Sequence, residues 1–198
     1  MSIDVTAAED ALRDDVVDRL RAHDIRYIGG GNAWSGRPSL YREARDAPVG
    51  PLVLALARSR DPRLRAALVA LLLRHPEYAP AALREAENAP VAENAQGGVH
   101  TARLIAVSVL VAAALQRAWA FSLDLYLPGW SPIAADALAR RLGVPSPSED
   151  YGRATLDALD ALLARDDPFP TDYRGAWEDV GCHALDDLRE ESLADVAP

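Results

Sequence analysis

Twelve consecutive positions, Leu104 to Leu115, hold only aliphatic residues, alanines and one serine, Ser108. Arg103 opens the run and Gln116-Arg117 closes it. A membrane-spanning helix needs about 20 such residues. The run therefore reads as a helix that is apolar nearly all round and must be wrapped by other elements. We expect this buried helix over about His100 to Leu125, with Pro128-Gly129 breaking it. A chain of 198 residues is long enough to supply the wrapping.

The wrapping also reads as helical. Thr6-Ala7-Ala8-Glu9 has the form of a capping box, after which Leu12, Val16, Val17 and Leu20 share one helical face. That helix should end near His23. Ile25 to Ile28 is a short extended candidate ahead of Gly29, Gly30 and Gly31, and residues 32–50 read as loop with one short helix about Ser39 to Ala44. Pro51 to Arg60 forms the next expected helix. Asp61-Pro62 supplies an N-cap and a proline at the first helical position of another, which stops before Pro76. Pro80 to Glu87, Pro132 to Leu142, Ser148 to Arg165 and Asp172 to Leu193 follow, with residues 88–98 as a connection. The expected class is all-α, a compact array of about seven to eight helices. An N-terminal region, residues 1–50, precedes a helical body, residues 51–198, in one continuous unit. Within the body, SRDPRLRAALVALLLRHPEYAPAALREA resembles a HEAT-like hairpin over residues 51–88, with no second copy at a fixed period.

Charge narrows the functions open to such a chain. It holds 30 acids and 21 bases, a net of −9, and every base is Arg. Asp is twice as common as Glu. Both a GC-rich genome and a high-salt cytoplasm produce this bias, the latter because carboxylates keep a surface soluble. Residues 51–120 carry a net of +3, whereas residues 148–198 carry 14 acids and 4 Arg, a net of −10. Free nucleic acid is a poor partner for such a surface, since affinity for phosphate needs positive charge. The single cysteine, Cys182, cannot form an internal bridge, which fits a reducing compartment. The opening MSIDVTAAEDALRDD is acidic, with no basic stretch before an apolar run, so the expected location is the cytoplasm.

Most catalytic patterns fail on residue type. IGGGNAWSG is not a phosphate loop, because a chain without Lys cannot complete one. IRYIGG looks like the first strand and turn of small nucleotidyltransferases, but the magnesium-binding carboxylate pair is missing. The next acids, Glu43 and Asp46, are too far apart. Residues 134–159 look like a helix-turn-helix with Ala139 and Gly143 at the small positions, yet Glu149 and Asp150 would face phosphate. No Ser-x-x-Lys or Gly-x-Ser-x-Gly is present. His23, His75, His100 and His183 each stand alone in sequence, and none has the Arg spacing of HEPN-type ribonucleases. For metal, His183, Asp187 and Glu190 share one helical face, but three ligands on one helix leave a coordination shell open. No cofactor is expected.

Aromatic residues gather in three places. Tyr27, Trp34 and Tyr41 flank the glycine run; Trp119, Tyr126 and Trp130 flank the Pro128 break; Tyr151, Tyr173 and Trp177 lie in the acidic quarter. Trp and Tyr anchor interfaces, which makes Trp34, Tyr41, Trp119 and Trp130 the candidate partner-binding residues. RDPRLRAALVALLLRHPEYAP, LQRAWAFSLDLYL and LGVPSPSEDYGRATLDALDALL together resemble all-helical prokaryotic proteins of unassigned role, encoded beside small nucleotidyltransferase-like proteins. That resemblance implies a protein partner and a regulatory or antitoxin-like role. The expectation is a non-enzymatic interaction subunit. Two alternatives stay open. One is a subunit of a nucleoprotein complex contacting phosphates through Arg58, Arg60, Arg63, Arg65, Arg74 and Arg84, although Asp61-Pro62 breaks the face that Arg58 and Arg65 would share. The other is a metal-dependent enzyme built on His183, Asp187 and Glu190.

The acidic quarter makes a prediction about salt. Asp166-Asp167, Asp186-Asp187 and Glu190-Glu191 place like charges side by side, and such neighbours repel by a few tenths of a kcal/mol per helical pair. Salt shortens the Debye length from about 10 Å at 0.1 M to about 3 Å at 1 M. The melting temperature should rise as KCl goes from low to molar concentration; a fall would show that attraction between the acidic quarter and the Arg-bearing middle dominates.

Overall fold

The apolar run is the axis of the molecule. The computed structural model describes residues 5–25, 38–88, 95–127, 129–165 and 173–194, with side chains from residues 13, 42 and 100 onward in the first three stretches. Ten α-helices occur among the described residues. They are α1 (Val5–Ala22), α2 (Pro38–Asp46), α3 (Val49–Arg58), α4 (Pro62–Arg74), α5 (Ala79–Asn88), α6 (Ala95–Ala118), α7 (Ala120–Tyr126), α8 (Asp136–Leu142), α9 (Arg153–Ala164) and α10 (Tyr173–Ala194). No strand occurs among the described residues. The class is all-α. The extended candidate at 25–28 and the glycine run lie outside the described residues apart from Ile25, which is buried without strand pairing.

Every residue from Leu104 to Gln116 is buried. Helices α3, α4, α5, α9 and α10 all pack on α6. His100–Ala118 is long and apolar enough to cross a membrane by length and composition, and 78% of that stretch is buried inside the protein. Burial of each large aliphatic side chain contributes ~1.5–3 kcal/mol, and Ile105, Leu110 and Leu115 are all closed from solvent. Two buried polar side chains on α6 find hydrogen-bond partners. Ser108 Oγ donates to the Leu104 carbonyl (2.8 Å). Gln116 bridges two chain segments: its Nε2 donates to the Leu73 carbonyl (3.3 Å), and its Oε1 accepts from the Ile133 amide (2.8 Å).

These contacts fix directions. Leu73 sits at the α4 end beside Gln116, while Pro62 and Ala66 of α4 meet Leu104 and Val107 of α6 around a void of 40 Å³ shared with Trp177. Helices α4 and α6 are therefore parallel. At the matching ends of α4 and α10, Arg74 hydrogen-bonds Glu191. Helix α9 runs the other way: Arg103 Nη2 donates to the Leu162 carbonyl (3.0 Å), close to the end of α9, where a cation also opposes the helix dipole.

Local signals account for most boundaries. Asp61 caps α4, accepting from the Arg63 amide at 2.9 Å with Pro62 in the first turn. Gly143 (φ 68°) closes α8, its amide donating to the Arg140 carbonyl and the Val144 amide to that of Ala139. Other boundaries differ from expectation. Helix α1 begins at Val5, so Thr6 lies inside it rather than capping it. Helix α6 begins at Ala95, and the expected helix to Leu125 breaks at Trp119 (φ −113°, ψ 21°), giving the separate α7. Helix α3 covers Val49–Arg58 rather than the expected Pro51 to Arg60. The helix expected from Ser148 begins at Arg153 instead. Ahead of it, Asp150 (φ 48°), Tyr151 (φ 50°) and Gly152 (φ 77°) form three consecutive left-handed residues.

That left-handed turn has a packing cause. Gly152 lies against the α6 backbone, where a Cβ would come within 2.4 Å of the Ala114 carbonyl oxygen. Gly143 is also left-handed, but open space surrounds it. Gly143→Ala should cost only the conformational penalty of about 1–2 kcal/mol. Gly152→Ala adds a collision with backbone and should cost at least about 3 kcal/mol. Urea unfolding of the two variants checks this; equal losses would mean that α6 does not hold the turn.

Candidate functional site

The break at Trp119 builds a cleft among the described residues. The Trp119 ring lies over Gly181 of α10, where a Cβ would stand 2.3 Å from Trp119 Cη2. The absent side chain admits the indole and lets α7 turn across α10. Beside it opens a cleft of 840 Å³ whose floor includes Leu115, Ala118, Trp119 and Leu156. Asp150, Tyr151 and Arg153 line one side, and Arg174, Glu178 and Cys182 the other. Arg174 is held on both flanks: it bonds Asp157, and its Nε donates to Glu178 Oε1 at 3.0 Å. Burial pushes the Cys182 thiol above its usual range, helped by Asp186, Asp179 and Glu178, so the thiol form dominates.

Exposed large apolar side chains occur at the cleft lining and on α7. Tyr151 is 77% exposed on the left-handed turn; Phe121 (85%) and Leu125 (59%) are one turn apart on α7. Ser146 and Ser148 fix the approach to the turn. Both hydroxyls donate to Asp136 Oδ1, the Ser148 one at 2.9 Å, and these bonds hold the Asp136 carboxyl below its usual range. Thr155 Oγ1 donates to the Pro145 carbonyl at 3.0 Å.

The second cleft, of 460 Å³, lies between the segment 129–134 and the start of α5. Trp130, Pro132 and Ile133 face Pro76, Glu77 and Leu83 across it. Trp130 Nε1 donates to Asp124 Oδ1 at 2.7 Å, which ties this wall to α7.

A third cluster joins residues that stand alone in sequence. His23, at the end of α1, meets His75 and Tyr78 of the turn between α4 and α5. The His23 and His75 ring centroids are 5.9 Å apart, and the His75 ring stacks on Tyr78 at 4.9 Å. His75 Nε2 donates to the His23 carbonyl (3.0 Å), while its Nδ1 faces Glu77 Oε1 (3.1 Å). The Tyr78 hydroxyl and His23 Nδ1 share a hydrogen bond of 3.2 Å. The isolation expected for His23 and His75 therefore does not hold; 52 residues of chain separate two rings that the fold brings together. The cluster ties α1 to the helical body.

The expected site residues scatter. Trp119 and Trp130 are half-buried, one in each cleft. Trp34 and the Tyr41 side chain lie outside the described residues. Among the Arg set, Arg58, Arg60, Arg63 and Arg84 are exposed and Arg65 is half-buried, but Arg74 is 8% exposed and bonded to Glu191. Arg74 therefore offers no face to a phosphate backbone, because its guanidinium closes the seam between α4 and α10. His183 pairs with Asp179 Oδ1 at 3.8 Å on the outer face of α10. Among the described residues no three His, Cys, Asp or Glu side chains are arranged to hold a metal, so His183, Asp187 and Glu190 do not converge. Sequence periodicity placed Asp187 and Glu190 on the face of His183, and the i−4 carboxylate, Asp179, also meets it. Phe121 and Leu125 escaped the sequence reading, and Tyr151 figured in it only as one of the aromatics of the acidic quarter. The spacing of Phe121 and Leu125 was a visible signal, but it needed the helix break at Trp119 to turn outward. Comparison with protein families, curated proteins and solved structures finds no match.

Burial sets the behaviour of His23. Only 1% exposed, its imidazole has a pKa lowered from 6.5 to about 4, first by burial, then by His75, Arg19 and Arg45, with Asp24 opposing. Tyr78 is pushed up by burial and Glu77. Unfolding exposes His23 and lets it take up a proton, so between pH 6.5 and 4 the unfolded state binds more protons. Its contribution is fully present above pH 6.5 and is lost as pH falls through that window, about 3 kcal/mol in all. Urea midpoints of the wild type should fall more steeply from pH 7 to 4 than those of His23→Gln. Equal slopes would show that His23 does not titrate as a buried group.

Proposed function

We propose that this protein is a non-enzymatic helical interaction subunit that binds a protein partner in the cytoplasm. The observation that carries this is the cleft of 840 Å³ lined by Trp119 and by Tyr151, which stands 77% exposed. Exposed large apolar side chains grouped beside a cleft are what interaction surfaces present, and Trp and Tyr are the residues that dominate binding energy. The net charge of −9 argues against free nucleic acid as the partner. Two of the three segments that resemble proteins encoded beside nucleotidyltransferase-like proteins contribute to this cleft: LQRAWAFSLDLYL carries Trp119, and LGVPSPSEDYGRATLDALDALL carries the left-handed turn. A nucleotidyltransferase-like protein is accordingly the partner class we favour, with residues 51–88 acting as a HEAT-like brace behind the binding face.

Affinity purification of the tagged full chain from its native cells tests this reading. A stoichiometric protein partner should co-purify, and Trp119→Ala should weaken its retention at least tenfold. Recovery of no partner, together with tight, salt-sensitive binding to random-sequence DNA at physiological salt, would refute it.

A further inference from the structure

The surroundings of His23 suit a neutral ring and not a charged one. Nδ1 shares its hydrogen bond with the Tyr78 hydroxyl, whereas Nε2 is closed from solvent and has no hydrogen-bond partner among the described residues. A cationic imidazole carries a proton on both nitrogens. Its Nε2–H would then be a charged donor with no acceptor, which costs more than the unpaired atom of the neutral ring. Burial opposes the charge first, and His75 of the α4–α5 turn, Arg19 of α1 and Arg45 of α2 add to it, while Asp24 favours it. Asp24 is itself 3.8 Å from Arg45, and Glu77 is engaged with His75 Nδ1 at 3.1 Å.

The ring also travels with α1. Asp24 (φ 62°) ends that helix in a left-handed turn, and the Ile25 amide donates to the Leu20 carbonyl at 3.0 Å, which fixes His23 at the helix end. Helix α1 packs chiefly on α2 and α3, and α2 chiefly on α1, whereas α3, α4, α5 and α7 to α10 gather on α6. Across the seam, His75 Nε2 donates to the His23 carbonyl (3.0 Å), Arg19 Nη2 donates to the Pro48 carbonyl (3.1 Å), and Arg13 pairs with Asp61 at 3.3 Å. Opening a unit held in this way costs less than opening the enclosed core.

We propose that the His23–His75–Tyr78 cluster is an acid-labile latch: protonation of His23 releases α1, carrying α2, from the helical body while the helices around α6 stay packed. In the open form His23 reaches water and binds its proton without the mismatch, so acid favours opening. The docked ring, lowered from 6.5 to about 4, sets the range. The latch is fully closed above pH 6.5, and the opening constant rises by up to about 300-fold as pH falls through that window.

Amide hydrogen exchange on the full chain at pH 7 and pH 4.5, corrected for the intrinsic rate at each pH, tests this. Protection of α1 should fall at least about 30-fold between the two. At pH 4.5 the amides between Leu104 and Leu115 of α6 should remain at least about 100-fold better protected than those of α1. In His23→Gln, which cannot take up the proton, the fall in α1 should shrink at least about tenfold. Equal protection of α1 and α6 at pH 4.5 would mean that the molecule opens as a whole and would overturn the proposal. So would a fall in α1 of His23→Gln as large as in the wild type. Should that variant not fold, the wild-type ring decides by NMR. Titration of His23 in step with the loss of α1 protection supports the latch, and a ring that takes up its proton while α1 stays protected overturns it.

Discussion

The structure depends on hiding a helix that has no polar side. From Leu104 to Gln116 each residue of α6 is enclosed, and an enclosed helix needs neighbours on all sides. Seven helices, α3, α4, α5, α7, α8, α9 and α10, meet that need, which is why a chain of this length spends most of itself on a jacket. The buried end of α6 is closed by Gln116, which satisfies the Leu73 carbonyl and the Ile133 amide at once. An unpaired buried amide or carbonyl there would cost ~1–3 kcal/mol, so Gln116 also sets where α4 ends and where the segment before α8 must pass.

Close approach to that axis explains the least regular parts. Gly152 touches the α6 backbone and Gly181 receives the Trp119 ring. Both are places where a jacket helix comes nearer to α6 or its extension than a side chain allows. The irregular turn at 150–152 and the break at 119 follow from those approaches, and the cleft lies between them. Function, on the reading favoured above, therefore sits where the jacket is tightest.

Much of the architecture was legible in the sequence. The apolar run announced α6, Asp61-Pro62 announced the start of α4, and Gly143 announced the end of α8. These signals act within a few residues, so they survive without tertiary information. What escaped was set by distant chain. Nothing local marks Asp150 and Tyr151 as left-handed, since the cause is Ala114 on another helix. Arg74 sits at a helix end where an exposed cation is ordinary, and only the arrival of Glu191 after 117 residues buries it. The meeting of His23 with His75 has the same origin. Of the candidate partner-binding residues, Trp119 and Trp130 did prove to line clefts, while the exposed side chains beside them required the break in α6 to be known.

Trp119, Gly152 and Gly181 also have a meaning beyond this one molecule. Each fills a role that no other residue type fills at the same backbone spacing: an indole laid in a notch, the notch itself, and a turn pressed on a helix. Surface helices can drift in sequence while keeping an apolar stripe, so overall similarity among distant relatives fades quickly. The Trp119–Gly181 pair is held by close contact, so a larger residue at 181 fits only if the indole at 119 shrinks with it, whereas Gly152 answers to the Ala114 backbone, which no substitution removes.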